Sequence, residues 1–289
     1  MNTGLICAAI ALFIFQSLSM KLQKAPGLAD KLFVNCLFCA LAAAGLGAGA
    51  ALMPSAFMLS GATALYGLGF GLCFALTILF YNLAISTGPL SYTAFYFSAS
   101  MLIPTLAGLL WFGEPFSPGL AVGLALFLAA FYLLNSGAGG QMHPRPHWGL
   151  YCLLTFLCNG LSAVVQKAQQ RAAGGGEAFG FMLVGFSGAA LCYALAYFAA
   201  RRTGGRQAAA LLRDNRLAIV LLALGSAGGN VLLTILAGRV AASYLFPLVQ
   251  GSIVVGVAAC SALFFHEKPS ARGKLGLLLG ACAIAAMNL

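Results

Sequence analysis

Charged residues are scarce in this 289-residue chain, and acidic residues are the scarcest of them. Only 7% of the residues are charged, with 5 Asp and Glu against 15 Lys and Arg, while 62% are hydrophobic. A water-soluble domain carries roughly 25% charged residues, so this composition excludes a soluble globular protein. It also excludes a disordered chain, which is poor in apolar residues and rich in charge. The composition is typical of an integral membrane protein.

The apolar stretches also lack the groups that catalyse reactions. All five acids and all three histidines lie between those stretches or at their ends. The sequence therefore predicts no carboxylate inside a membrane span for proton coupling and no histidine cluster for catalysis. The nine cysteines fall inside apolar stretches, and the pair Cys36 and Cys39 has no second pair to complete a zinc site. We predict that the protein is not an enzyme and has no cofactor and no metal site.

Long apolar runs are what the chain has in abundance. A membrane-spanning helix needs about 20 predominantly apolar residues. Ten runs approach or exceed that length, and they cover residues 3–20, 32–52, 62–85, 90–112, 118–136, 148–166, 178–200, 217–237, 242–265 and 271–288. The sequence therefore predicts an all-α integral membrane protein with ten transmembrane helices.

A polar connection at residues 138–147, with two prolines and one arginine, separates the ten runs into two groups of five. This pattern predicts two domains, residues 1–137 and residues 148–289, each containing five helices. An odd number of spans in each half makes the second half insert upside down relative to the first. The two halves are therefore predicted to be inverted repeats, a common plan among secondary transporters.

An internal sequence match supports the repeat. A shift of 153 residues lays residues 83–135 on residues 236–288 without gaps and matches Glu114 with Glu267. The chain has only three glutamates, so the coincidence of two at one helix-to-helix turn carries more information than matches of Leu or Ala.

The matched segments resemble the EamA-type repeat of the drug/metabolite transporter superfamily. The first copy carries residues 84–94, a helix that ends at Trp111-Phe112, the turn Gly113-Glu114-Pro115-Phe116-Ser117 and Gly123. The second copy runs from Ala237 through the turn His266-Glu267-Lys268-Pro269-Ser270 to Gly276. It departs from the family pattern at His266, where the family commonly has glycine.

The resemblance covers essentially the whole chain, and it implies a ten-helix carrier. Its cavity would lie between the two sequence halves, lined by spans one to four and six to nine. The related small multidrug resistance proteins use a glutamate in their first helix, whereas the most polar side chain of the first run here is Gln16. This difference argues against proton-coupled export of polycations.

Substrate-binding residues are predicted among the polar and aromatic side chains of the runs. Four uncharged polar residues lie well inside their runs, and Tyr92 and Tyr96 share one helical face on which their rings could hold an aromatic or cationic solute. The predicted polar substrate-binding residues are Gln16, Asn159, Asn230 and Gln250. Interhelical hydrogen bonds remain the alternative for the polar residues, and an interfacial aromatic belt remains the alternative for the tyrosines.

Four further residues are predicted to act in gating or in turns. Glu114 and Glu267 lie at matching turns and could accept backbone or lysine hydrogen bonds, or act as gates. Pro104 in the fourth run and Pro247 in the ninth could free carbonyl groups for binding or act as bending points.

These observations predict a secondary transporter of the plasma or inner membrane that moves a small organic solute by alternating access. The expected solute is an amino-acid-like or other metabolite, or an organic cation, and export or exchange is favoured. A noncatalytic membrane scaffold or partner subunit is the alternative, and an intramembrane enzyme is less favoured. The expected partners are the solute and anionic lipid headgroups at the Lys/Arg-rich loops, with no nucleic acid, in a monomer or homodimer.

The orientation in the membrane remains open. The connections after odd-numbered runs, together with the first residues of the tenth run, hold 12 of the 15 basic residues, and this bias places both termini outside the cell. The family resemblance more often implies termini in the cytoplasm.

Overall fold

The computed structural model describes residues 2–135, 145–201, 207–264 and 270–287, and these residues contain helices but no strand. Eleven α-helices lie in this part of the chain, so the all-α prediction is confirmed there. They are α1 (Asn2–Met20), α2 (Leu28–Leu52), α3 (Gly61–Thr87), α4 (Leu90–Ala99), α5 (Leu102–Leu110), α6 (Pro118–Asn135), α7 (Trp148–Ala172), α8 (Ala178–Arg201), α9 (Ala208–Ala237), α10 (Ala242–Phe264) and α11 (Ala271–Met287). A 3₁₀ turn at Pro54–Ala56 precedes α3.

Eight helical segments of the described ranges are long and apolar enough to cross a membrane. They are α1, α2, α3, the segment formed by α4 and α5, α7, α8, α9 and α10. The chain is thus a multi-pass membrane protein by helix length and composition. The fifth and tenth predicted runs form α6 and α11, with 18 and 17 residues, and neither is among the eight. The count of ten spans therefore stays a prediction.

Several helices extend beyond the apolar runs. The predicted eighth run starts at residue 217, but α9 starts at Ala208 and includes Arg213, Asp214 and Arg216. The predicted sixth run ends at residue 166, but α7 continues to Ala172. The predicted runs stop at the first polar side chains. A helix can continue past them, because its backbone hydrogen bonds form within the segment whatever the side chains are.

The fourth run is split into two helices. Pro104 has no N–H to donate to the carbonyl of Ser100, and its ring crowds that carbonyl. At the break the backbone instead forms hydrogen bonds between residues three apart. The N–H of Met101 donates to the carbonyl of Ser98 at 3.4 Å, and the N–H of Ile103 donates to the carbonyl of Ser100 at 3.0 Å. Pro247, in contrast, lies in the second turn of α10, and that helix continues through it.

The chain forms two compact units, each drawn from both sequence halves. The first unit contains Met1–Leu79 and Val165–Arg239, and the second contains Phe80–Val164 and Val240–Leu289. Both α3 and α7 cross the boundary between the units. The predicted domains are the two sequence halves on either side of residues 138–147. Because each compact unit contains residues of both halves, the units do not test that division, and it stays a prediction.

In the first unit, α2 packs against α8 and α9, and α1 packs against α9. The core contains Phe38 of α2 and Phe186 of α8, both buried. Glycine permits α3 to approach α8 closely, because a Cβ at Gly71 would collide with the carbonyl of Gly185. Small residues at a helix interface allow this kind of close packing in membranes.

In the second unit, α6 packs against α11, and α5 packs against α10. Phe127 and Phe131 stack along α6 with ring centroids 5.9 Å apart, and both are fully buried. A Cβ at Gly276 of α11 would lie 3.1 Å from the carbonyl oxygen of Ala130. Glycine therefore sets the spacing of this pair of helices as well.

Candidate functional site

The structure places nine of the ten predicted site residues, and Glu267 lies outside the described residues. The first unit contains Gln16 and Asn230. The second unit contains Tyr92, Tyr96, Pro104, Glu114, Asn159, Pro247 and Gln250.

The break between α4 and α5 concentrates polar groups within an apolar segment of the second unit. Ser98, Ser100 and Thr105 are 4%, 1% and 2% exposed. The Ser100 hydroxyl donates to the carbonyl of Phe97 at 2.6 Å, and the Thr105 hydroxyl donates to the carbonyl of Met101 at 2.8 Å. Irregular backbone at membrane depth is tolerated only where protein or a cavity surrounds it. The break is therefore a candidate binding region.

Asn159 of α7 contacts this break directly. Its Nδ2 donates to the Ser100 hydroxyl at 2.6 Å and to the Phe97 carbonyl at 3.4 Å. The next residue, Gly160, lets α7 come close, because a Cβ there would lie 2.5 Å from the Ile103 side chain. No donor among the described residues reaches the Asn159 Oδ1. This oxygen can therefore accept a hydrogen bond from an amine or hydroxyl of a solute.

Tyr92 and Tyr96 present their rings on one face of α4. They are 52% and 40% exposed. The Tyr96 ring meets the Trp148 ring edge-on, with centroids 6.4 Å apart at 82°, and the Trp148 Nε1 donates to the buried Thr93 hydroxyl at 3.1 Å. Trp148 is thus fixed and supports Tyr96. Because Tyr92 and Trp148 lie in the first turns of their helices, an interfacial belt remains an alternative for these rings.

The Glu114 carboxylate caps the start of α10. Its Oε1 accepts from the N–H of Ala242 and its Oε2 accepts from the N–H of Ser243, each at 2.7 Å. The first N–H groups of a helix have no partner within the helix, and a negative charge is favoured beside them. Gly108 makes room for this contact, since a Cβ there would collide with the Glu114 Oε2. Glu114 therefore joins the end of α5 to the start of α10, and a gating role stays a prediction.

Gln250 lies one turn beyond Pro247 on α10. Pro247 is buried and Gln250 is half-buried. Within the described residues the Gln250 side chain makes no hydrogen bond. Its amide can therefore both donate to and accept from a bound solute.

Asn230 of the first unit is already hydrogen-bonded. Its Oδ1 accepts from Gln166 Nε2 at 3.2 Å, and its Nδ2 donates to the carbonyl of Ser226 at 2.9 Å. Both amides are buried, with Gln166 2% and Asn230 7% exposed. The contact is an interhelical hydrogen bond between α7 and α9, the alternative that the sequence left open.

Gln16 packs where α1 meets α9. A Cβ at Gly225 would lie 3.0 Å from the Cβ of Gln16 and 3.1 Å from the carbonyl oxygen of Leu12. In the described part of the chain the half-buried Gln16 amide makes no hydrogen bond. Gln16 thus remains a binding candidate, whereas Asn230 has its partners within the protein.

Gln169 and Gln170 are not among the site residues predicted from the sequence. They are 0% and 1% exposed, and the Gln170 Nε2 donates to the Gln169 Oε1 at 2.7 Å and to the carbonyl of Gly176 at 2.9 Å. The Gln169 Nε2 donates in turn to the Thr63 hydroxyl at 3.1 Å. Gln166, Gln169 and Gln170 are spaced so that they share one helical face. The sixth predicted run ends at residue 166, so the sequence prediction did not include the last two.

Glu177 extends this network to the start of α3. Its Oε2 accepts from the N–H of Ser60 at 3.0 Å and from the Ser60 hydroxyl at 2.8 Å. The Thr63 hydroxyl bond, followed by these two Ser60 bonds, lowers the pKa of the Glu177 carboxyl below its ordinary value. The network links the turn between α7 and α8 to α3 within the first unit.

Among the described residues, no group of three or more His, Cys, Asp and Glu side chains is arranged to hold a metal ion.

Comparison with known proteins identifies the fold alone. No protein-family model matches the chain, and no curated protein matches it. A solved structure described only as a crystal structure of a protein superposes with a TM-score of 0.74 at 18% identity, covering 99% of this chain and 95% of that chain. At this identity the match shows that the two chains share a fold over nearly their full lengths.

Proposed function

We propose that the protein is a secondary transporter that moves a small organic solute across the plasma or inner membrane by alternating access, without catalysis. The broken helix of the second unit is the observation that carries this proposal. Discontinuous helices near the middle of the membrane are a recurrent way to build solute sites in secondary transporters, because they expose backbone groups and polar side chains. A scaffold has no need for such a break, since it requires only packed helices.

The proposed binding residues at this break are Asn159 and Ser100, with Tyr96 and Gln250 as further candidates in the same unit. Their groups are uncharged amides, a hydroxyl and a phenol. Such groups bind the amine and hydroxyl donors of an amino-acid-like metabolite, and an aromatic face attracts an organic cation. Export or exchange is proposed on the resemblance to the EamA-type repeat.

Helix pairing supports the proposed ten-helix inverted repeat. In the first unit α2 packs against α8, which form the second and seventh runs. In the second unit α5 packs against α10 and α6 packs against α11, which belong to the fourth and ninth runs and the fifth and tenth runs. Each pair joins equivalent members of the two halves. Such pairing is expected for helices beside a pseudo-two-fold axis.

A ligand-stabilisation screen tests the proposed site. Purified full-length protein is heated with amino acids, other small metabolites and organic cations, and the shift of the unfolding temperature is measured. We expect one chemical class to stabilise the wild-type protein. The Asn159→Leu variant should lose this shift, while Ser187→Ala, a polar-to-apolar change at an exposed position of α8, should keep it.

Two results contradict the proposal. One is the absence of stabilisation by every class tested, together with stable stoichiometric co-purification of another protein, which supports a partner subunit instead. The other is an equal ligand-induced shift of the unfolding temperature in the wild-type protein and in a folded Asn159→Leu variant. That result would show that the broken helix is not part of the binding site.

A further inference from the structure

Four helix ends meet at one end of the first unit. The N–H of Lys24, in the connection between α1 and α2, donates to the Asn215 Oδ1 of α9 at 2.7 Å. The Phe33 ring near the start of α2 lies 5.2 Å, centroid to centroid, from the Tyr197 ring near the end of α8. The last turns of α1 and α8 therefore lie beside the first turns of α2 and α9. We call this set of helix ends the basic end.

The basic end carries an excess of positive charge. Its described basic residues are Lys21, Lys24, Lys31, Arg201, Arg213 and Arg216, and its described acids are Asp30 and Asp214. The opposite end of the same unit has three basic residues, Lys167, Arg171 and Arg239, and one acid, Glu177. The described charge is therefore four positive at the basic end and two positive at the other.

Two arginine side chains at this end are exposed. The Arg201 guanidinium lies over the Tyr197 ring, 5.9 Å from its centroid, and Arg201 is exposed. The Arg213 side chain is 80% exposed although its Nε lies 3.6 Å from the Asp214 Oδ1. Asp30 is buried, at 4% exposed, and its Oδ2 accepts from the N–H of Gly27 at 3.4 Å. The exposed Arg201 and Arg213 are therefore within reach of an anion that approaches from outside.

Apolar side chains are exposed next to these charges. Leu22, Phe198 and Leu212 are 47%, 62% and 49% exposed, and each lies within three residues of an exposed Lys or Arg of the basic end. A free phosphate ion gains nothing from such neighbours. A phospholipid presents a phosphate group and acyl chains together, so it matches both features.

We propose that the basic end binds the phosphate group of an anionic phospholipid, with its acyl chains against the exposed apolar side chains. Basic residues near the membrane surface are attracted to anionic lipids. This inference is independent of the proposed transport function and goes beyond it.

Native mass spectrometry of the full-length protein in detergent tests the proposal. The protein is titrated with phosphatidylglycerol, with phosphatidylcholine of the same acyl chains and with inorganic phosphate. We expect phosphatidylglycerol to bind with clear preference. The Arg201→Gln and Arg216→Gln variants should each lose about fivefold in affinity for it, the size expected for one basic residue at a membrane surface.

A matched control variant distinguishes a lipid site at the basic end from general attraction of anionic lipid to a positively charged protein. Arg239→Gln removes the same charge at the opposite end of the first unit and should keep the wild-type affinity. Arg201→Lys should retain most of the binding, which separates loss of charge from misfolding. Equal binding of the two lipids, binding of inorganic phosphate as tight as that of phosphatidylglycerol, or an equal loss in Arg239→Gln would each overturn the proposal.

Discussion

Glu114 and Ser243 are joined by a hydrogen bond of 2.7 Å, from the backbone N–H of Ser243 to the Glu114 Oε2, although 129 positions separate them in the sequence. The other carboxylate oxygen accepts from the neighbouring N–H of Ala242. The turn after α5 therefore fixes the start of α10, the helix that carries Pro247 and Gln250. Disturbing this contact should alter both stability and the position of α10.

Replacement of Glu114 by Gln should destabilise the protein by about 1–2 kcal/mol, because the amide loses the charge and presents an NH₂ group to one of the two N–H donors. The free energy of unfolding can be measured by titration with a denaturing detergent in mixed micelles. An unchanged value in a variant that retains its helix content would show that the capping contact has no energetic role.

Gly108→Ala should disturb the same contact from the other side. The added Cβ would collide with the Glu114 Oε2 and lie 2.9 Å from the Ser243 nitrogen. We expect a loss of about 1–3 kcal/mol in unfolding free energy, typical of overpacking. Gly69→Ala in α3 is the control, because no atom lies within 4 Å of its added Cβ. That variant should gain about 0.5–1 kcal/mol from the better helix propensity of alanine. Equal effects of the two substitutions would contradict the packing argument.

The glutamine network of the first unit should show energetic coupling. Gln169→Leu removes the donor to the Thr63 hydroxyl and the acceptor for Gln170, and it should cost about 1–3 kcal/mol because buried polar partners are left unsatisfied. Thr63→Val removes the other partner. In a double-mutant cycle the combined loss should be smaller than the sum of the single losses. Strict additivity would indicate that the two residues act independently.

Stability should depend on pH through Glu177. Its folded-state pKa is lowered by bonds from Thr63 and Ser60, so it binds its proton less readily in the folded protein than in the unfolded chain. The stabilisation is therefore present above the ordinary pKa of 4.5 and is lost as the pH falls through the folded-state value. The unfolding temperature of the wild-type protein should exceed that of Glu177→Gln at pH 7, and the difference should shrink towards pH 4. A constant difference would contradict this assignment.

Apolar length identified the helices, and together with the low content of charged residues it predicted a multi-pass helical membrane protein. Pro104 also indicated an interruption of the fourth run, because the loss of its N–H is a local property. Because the runs were defined by apolarity, the sixth predicted run ended before the helix does, and Gln169 and Gln170 were left out. Their polarity is compatible with a helix because the fold supplies partners.

Contacts between residues far apart in the chain could not be predicted from the sequence. An acid at a turn indicates a capping role, but only the fold shows that the Glu114 carboxylate reaches α10. Asn159 and Asn230 are chemically identical in the sequence. The structure separates them, because Gln166 donates to the Asn230 Oδ1, whereas no donor in the described part of the chain reaches the Asn159 Oδ1.

Counterflow in proteoliposomes is the most direct test of solute transport through a site at the broken helix. Vesicles containing purified protein are loaded with an unlabelled solute of the class found by ligand stabilisation, and the uptake of the labelled solute is followed. If the broken helix holds the solute, label should accumulate transiently with the wild-type protein and with Ser187→Ala, and should not accumulate with a folded Asn159→Leu variant. Uptake by the wild-type protein no faster than in protein-free vesicles, for every solute class tested, would contradict it.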